Sequence, residues 1–164
     1  MPHPTAAALF ALSLLATAAM ATPPPPEASF EQEICAATHV FVGTASNVRF
    51  VTAKGPSACK GEPAVDGGFI TLCGRAEVDV KVEKVLYPKN WKAPQTVRYQ
   101  FGGGYFAVES LKRDLEGQRY LLHAVAIEGE PADVFGPSYP WVLGKSPKDA
   151  SRVERALKTC KRRK

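Results

Sequence analysis

The side chains here whose types could do chemistry are few. They are four cysteines, Cys35, Cys59, Cys73 and Cys160; three histidines, His3 in the apolar leader, His39 and His123; and three closely spaced carboxylates, Glu77, Asp79 and Glu83. Cys35 stands directly ahead of an apolar alternating run in EICAATHVFVGTA, where a nucleophile, a metal ligand, an amino-terminal chelator or a disulfide half are all conceivable roles. A zinc site wants paired Cys or His at spacings such as C-x-x-C, and the chain has none. An even count of cysteines in an exported chain instead reads as two disulfides, with no metal. Three pairings are possible. Cys59 and Cys73 flank a loop rich in Gly, Pro and Lys and make the natural short bridge, which leaves Cys35 and Cys160 to tie the start of the domain to its end.

A hydrolytic triad needs a nucleophile, a base and an orienting carboxylate. His39 begins a strand and His123 sits mid-strand in LLHAV, and neither accompanies a nucleophile turn such as G-x-S-x-G, so hydrogen-bonded structural histidines are expected. Glu77, Asp79 and Glu83 alternate along one strand with Lys81 among them. That is the pattern of a solvated charged face rather than of a glycosidase acid/base pair. Gly102-Gly103-Gly104 lacks the Lys-Ser/Thr of a phosphate loop and reads as a flexible loop or bulge where something can approach the backbone closely. With Trp141 it forms the candidate binding locus. Trp91, Tyr87, Tyr105 and Tyr139 also lie in or beside loops, where aromatics bind partners or pack over the ends of a barrel. No catalytic set, metal site or cofactor motif assembles.

The elements that must position these residues begin after an apolar leader. AAALFALSLLATAA, closed by Ala19-Met20-Ala21, reads as a signal peptide over residues 1–21. A Pro-rich extended leader is expected over 22–33, a single domain over 34–160 and a basic tail over 161–164. About 140 residues suit one core. No later run is long enough to span a membrane, and no cysteine just after the cut suggests a lipid anchor. The net charge of +5 is misleading. Lys158, Lys161, Arg162, Arg163 and Lys164 supply five positive charges, and without them 16 basic residues meet 16 acidic ones. A nucleic-acid-binding domain would carry its charge on a folded face, so that class is excluded.

HVFVGTASNVRFV, from His39, predicts a long strand with a bulge or tight bend at Gly43. FITL (69–72) predicts a short strand. RAEVDVKVEKV alternates apolar Ala76, Val78, Val80 and Val82 against charged residues, and TVRYQF repeats the alternation. Residues 105–117 change to helical period, with Gly117 as terminator. RYLLHAVAIE predicts a buried strand. The segment GEPADVFGPSYPWVLG reads as irregular, with room for one short strand at 141–143. Ser146-Pro147-Lys148-Asp149 caps a last helix with Val153, Ala156, Leu157 and Cys160 on one side. The expected fold is mostly β: a small five-stranded OB-like barrel with a short helix between strands 3 and 4 and a C-terminal helix.

The order Cys35, ATHVFVGTASNV, AEVDVKVEKVLYPKN, GQRYLLHAV resembles a netrin-like domain of the tissue-inhibitor-of-metalloproteinases superfamily, in its small bacterial form, over residues 34 to 127. The resemblance implies an OB barrel held by disulfides and working by protein–protein contact. In the vertebrate inhibitors the mature chain begins at the first cysteine, whose free amine and carbonyl bind the zinc of the target protease. Cleavage after Ala21 leaves Thr22 to Ile34 ahead of Cys35, and a mid-chain amide cannot chelate like an amine. The C-terminal helix and the count of four cysteines also depart from the larger inhibitors. The expectation is therefore a secreted or periplasmic, non-enzymatic binding domain, touching another protein or an extracytoplasmic surface, with no cofactor. Two alternatives stand beside it: a metalloprotease inhibitor made by trimming to Cys35, and an extracytoplasmic hydrolase using His39 or His123.

Overall fold

A computed structural model describes residues 28–52, 59–102, 106–138 and 146–161. The predicted signal peptide and most of the basic tail lie outside the described residues. In chain order the elements are α1 (Phe30–Ala36), β1 (His39–Thr52), β2 (Val65–Asp66), β3 (Phe69–Ile70), β4 (Gly74–Tyr87), β5 (Thr96–Gly102), α2 (Val108–Leu115), β6 (Arg119–Ala126), β7 (Val134–Pro137) and α3 (Ala150–Lys161). Five strands close on themselves in a ring of order β1-β4-β5-β7-β6, while β2 and β3 form a separate small hairpin. Every pairing in the ring is antiparallel except β5 with β7, which is parallel.

Closure depends on β1, whose first half pairs with both β4 and β6. Its register against β4 shifts at Val40/Phe41, Val42/Gly43 and Ser46/Arg49, and such irregularities bend a strand and raise its twist. Gly43 is required there: a Cβ would lie 2.6 Å from Val80 Cγ1 and 2.7 Å from the Lys81 carbonyl oxygen. The bend predicted at this glycine is present.

Alternation then sorts the side chains. Phe41, Ala45, Val78, Val80, Val97, Tyr99, Phe101, Leu122 and Phe135 fill the ring. Val40, Val42 and Leu121 point outward, where Ile34 of α1 and Val153 and Ala156 of α3 cover them in a second cluster. β1 and β6 are thus buried on both faces, which explains the continuous apolar run in RYLLHAV. α2 ends as its sequence predicts, with Gly117 at φ +72° just past the helix. α3 is preceded by a 3₁₀ turn, Pro147–Asp149, capped by the Ser146 side chain.

Three expectations need correction. The extended leader expected through 33 gives way to α1 at Phe30. Ser29 and Gln32 form a reciprocal capping box, a signature that the proline run ahead of it obscured. FITL contributes only Phe69–Ile70 to the small hairpin and no strand to the ring. The fifth ring strand is instead Val134–Pro137, inside the segment read as irregular; four residues ending in proline, with no alternation, carry little strand signal. The short strand expected at 141–143 lies outside the described residues.

Candidate functional site

Each group with chemical potential sits in a defined structural context. The two histidines occupy cross-strand positions on β1 and β6, where Val40 pairs with His123 and His39 with Ala124. Val40 belongs to the outer cluster and Ala124 to the inner one, so the two imidazoles project to opposite faces. They cannot share a substrate.

His39 closes one end of the ring. Its imidazole lies edge-on to Trp91 and Phe135, with centroids 4.6 and 4.8 Å away, and its Nδ1 is 2.9 Å from Thr38 Oγ1. Burial among these rings holds its pKa below the ordinary imidazole value. Trp91 therefore packs over the ring end, against Phe41 as well.

His123 is the residue whose surroundings sequence reasoning missed. Its side chain is fully buried, with Nδ1 2.8 Å from Ser138 Oγ and Nε2 3.4 Å from Glu33 Oε2. Ser138, Glu33 and a histidine are triad residue types, but the Ser138 hydroxyl also lies 3.1 Å from the Glu33 carbonyl oxygen, a second acceptor for its one proton, and the His123 and Glu33 side chains are buried away from solvent. The cluster ties α1 to β6 and to the residue following β7. Only the capping box could have announced Glu33, by placing it on a helix.

The carboxylates on β4 are held by arginines. Glu77, only 6% exposed, accepts from Arg49 Nε at 3.1 Å, Arg75 Nη2 at 3.0 Å and Gln100 Nε2 at 3.1 Å. The fully solvated face expected there is thus corrected: long arginine side chains roof it over. Asp79 accepts from Arg49 Nη2 at 3.0 Å and Asn47 Nδ2 at 2.7 Å, and the Arg49 hydrogen bond, more than its charge, lowers the Asp79 pKa. Glu83 takes Thr44 and Arg119, and its pKa falls chiefly through the Thr44 hydroxyl. The lowered pKa values of Asp79 and Glu83, and the three donors gathered on Glu77, suit ion pairing and not proton donation.

The cysteines form two bridges, Cys35–Cys160 and Cys59–Cys73, and no free thiol exists among the described residues. No group of three or more His, Cys, Asp or Glu side chains among the described residues could hold a metal ion. Of the predicted binding locus, Gly102 ends β5 opposite Arg75, while Gly103, Gly104 and Trp141 lie outside the described residues.

Beside Gly102 the structure adds a feature not foreseen. The segment between Cys59 and Cys73 folds over the end of the ring: Ile70 N–H donates to the Phe106 carbonyl, Val108 N–H to the Gly68 carbonyl, and Gly74 packs so closely that a Cβ would meet the Ala64 carbonyl oxygen. On this anchored segment Phe69 is 49% and Leu72 67% exposed, the large apolar residues most open to solvent among those described. A shallow depression there is lined by Glu62, Asp66, Phe69, Thr71 and Leu72. No family model and no curated protein matches this chain. The two disulfides suit an oxidising, extracytoplasmic environment, and no described helix is long and apolar enough to cross a membrane.

Proposed function

We propose that this protein is an exported, disulfide-locked binding domain that acts by contact with another protein, and that the contact is made by the hairpin carrying Phe69 and Leu72. The single observation that carries the reading is those two apolar side chains held out to solvent on a loop pinned by Cys59–Cys73. Folding would ordinarily hide them, and a loop fixed at both ends loses little further entropy on binding.

The order of the ring supports reading it as an OB-type barrel. Counting its strands along the chain as first to fifth, the ring runs first, second, third, fifth, fourth, with α2 between the third and the fourth. This is also the architecture that the netrin-like resemblance implies. Its usual mode, protein–protein contact, fits the exposed hairpin. Trimming to Cys35 fits less well. It would delete Ile34, which is fully buried, together with Glu33, the partner of His123. A hydrolase reading finds no solvent-accessible histidine with an orienting carboxylate among the described residues: His123 is fully buried, and the contacts of His39 are with Thr38, Trp91 and Phe135.

The test uses immobilised, oxidised protein exposed to an extracytoplasmic extract, beside the double variant Phe69→Ser/Leu72→Ser. The reading expects a protein retained by the native domain and released by the variant, with equal thermal midpoints for both. Retention indifferent to the two substitutions would refute it.

A further inference from the structure

A second surface lies at the far end of β4. Cys73 precedes the first residue of that strand and Tyr87 is its last, so about 14 residues, roughly 45 Å of strand, separate the Leu72 hairpin from it. There a groove of about 470 Å³ runs between the β4–β5 turn and α3, lined by Leu86, Tyr87, Pro88 and Leu157 with Lys89 and Lys158 on its two walls. Tyr87 and Leu157 also line a second depression, which continues to the Cys35–Cys160 bridge. One wall is therefore covalently fastened to the rest of the fold.

Two cations flank this groove without an ion-pair partner among the described residues, whereas several arginines of the domain are paired. Arg49, Arg75, Arg119 and Arg152 each meet a carboxylate within 4 Å. Lys89 and Lys158 are exposed, and among the described residues neither meets one; Glu154 is the sole acidic residue lining the groove. Four further basic residues, Lys161 to Lys164, follow Lys158 within six positions of the sequence, all without an intervening acid. Lys89 and Lys158 thus give the apolar trough a cationic rim, and Lys158 leads into the basic end of the sequence.

We infer that this groove binds an acidic polypeptide segment, seating an apolar side chain between Tyr87 and Leu157 while flanking carboxylates meet Lys89 and Lys158. A concave apolar floor between two cationic walls suits a side chain inserted from outside. A membrane surface would call for protruding apolar residues beside the lysines, and Phe69 and Leu72 protrude at the opposite end. The inference concerns a different surface from the hairpin, so either reading can fail without the other.

The test is a nitrogen-15 NMR titration of the intact, oxidised chain with the synthetic peptide acetyl-Glu-Glu-Leu-Glu-Glu-amide. Amide shifts are expected at residues 86–90 and 154–158, weakening as salt rises. Lys89→Glu/Lys158→Glu should reduce affinity roughly tenfold, from two exposed charge contacts, at an unchanged thermal midpoint. Glu154→Gln should tighten binding. Shifts confined to the tail after Lys161, equal binding of an all-glutamate peptide, or binding of phosphatidylglycerol vesicles with no peptide response would each overturn the inference.

Discussion

Replacing Cys35 and Cys160 by serine asks how much of the fold hangs on one bond. The bridge joins residues 125 apart, whereas Cys59–Cys73 joins residues 14 apart. Constraint of the unfolded chain grows with the logarithm of loop length, giving about 5 kcal/mol for the long bridge and about 3 for the short one. The long bridge also joins α1 to α3, whose Ile34, Val153 and Ala156 cover the outer face of β1 and β6. Domains of this size hold about 5–15 kcal/mol in all, so the Cys35→Ser/Cys160→Ser variant should lie close to the folding threshold. With a urea slope of about 2 kcal/mol/M, its unfolding midpoint should fall by about 2.5 M, against about 1.5 M for Cys59→Ser/Cys73→Ser. Urea titrations followed by far-ultraviolet circular dichroism, on the native protein and both variants, measure this. A smaller loss for the long bridge than for the short one would refute the reasoning.

Other perturbations probe the interior. The Tyr99 hydroxyl is buried without a hydrogen-bond partner among the described residues, and desolvation raises its pKa well above the usual phenol value. Tyr99→Phe should therefore leave thermal stability unchanged or raise it by about 1 kcal/mol, and a loss above that would reveal a partner. Gly43→Ala should cost about 2–3 kcal/mol in chemical denaturation, since the added methyl meets the Lys81 backbone as well as the Val80 side chain. Because His39 has a lowered pKa in the fold, the unfolded chain takes up its proton first as pH falls below 6.5, so folding stability should decline from that pH until the folded-state value is passed. Denaturation series on the native protein and His39→Phe, compared between pH 8 and 5, should differ by that component; parallel curves would contradict it.

The sequence made the ring legible where one face is apolar and the other is not. Ala76 to Val82 and Val97 to Phe101 alternate because each strand has an inside and an outside, and Gly43 announced the bend that a closing strand needs. β7 was invisible for the opposite reason: Val134, Phe135 and Gly136 are all buried, and the strand joins β5 only through the parallel Arg98–Val134 and Tyr99–Phe135 pairs. α1 was hidden by its proline-rich approach. The site was less legible than the fold. Nothing in Glu33, His123 and Ser138 taken singly suggests a cluster, since their proximity is made by ring closure. The exposure of Phe69 and Leu72 depends on how the Cys59–Cys73 loop lies over the ring end, which FITL read as a strand conceals.

The most direct measurement is non-reducing peptide mapping of the mature protein after immediate alkylation in intact cells. The account predicts two linked peptide pairs, Cys35 with Cys160 and Cys59 with Cys73, recovered from outside the cytoplasm with no alkylated thiol. Four alkylated cysteines in a cytosolic fraction would contradict it.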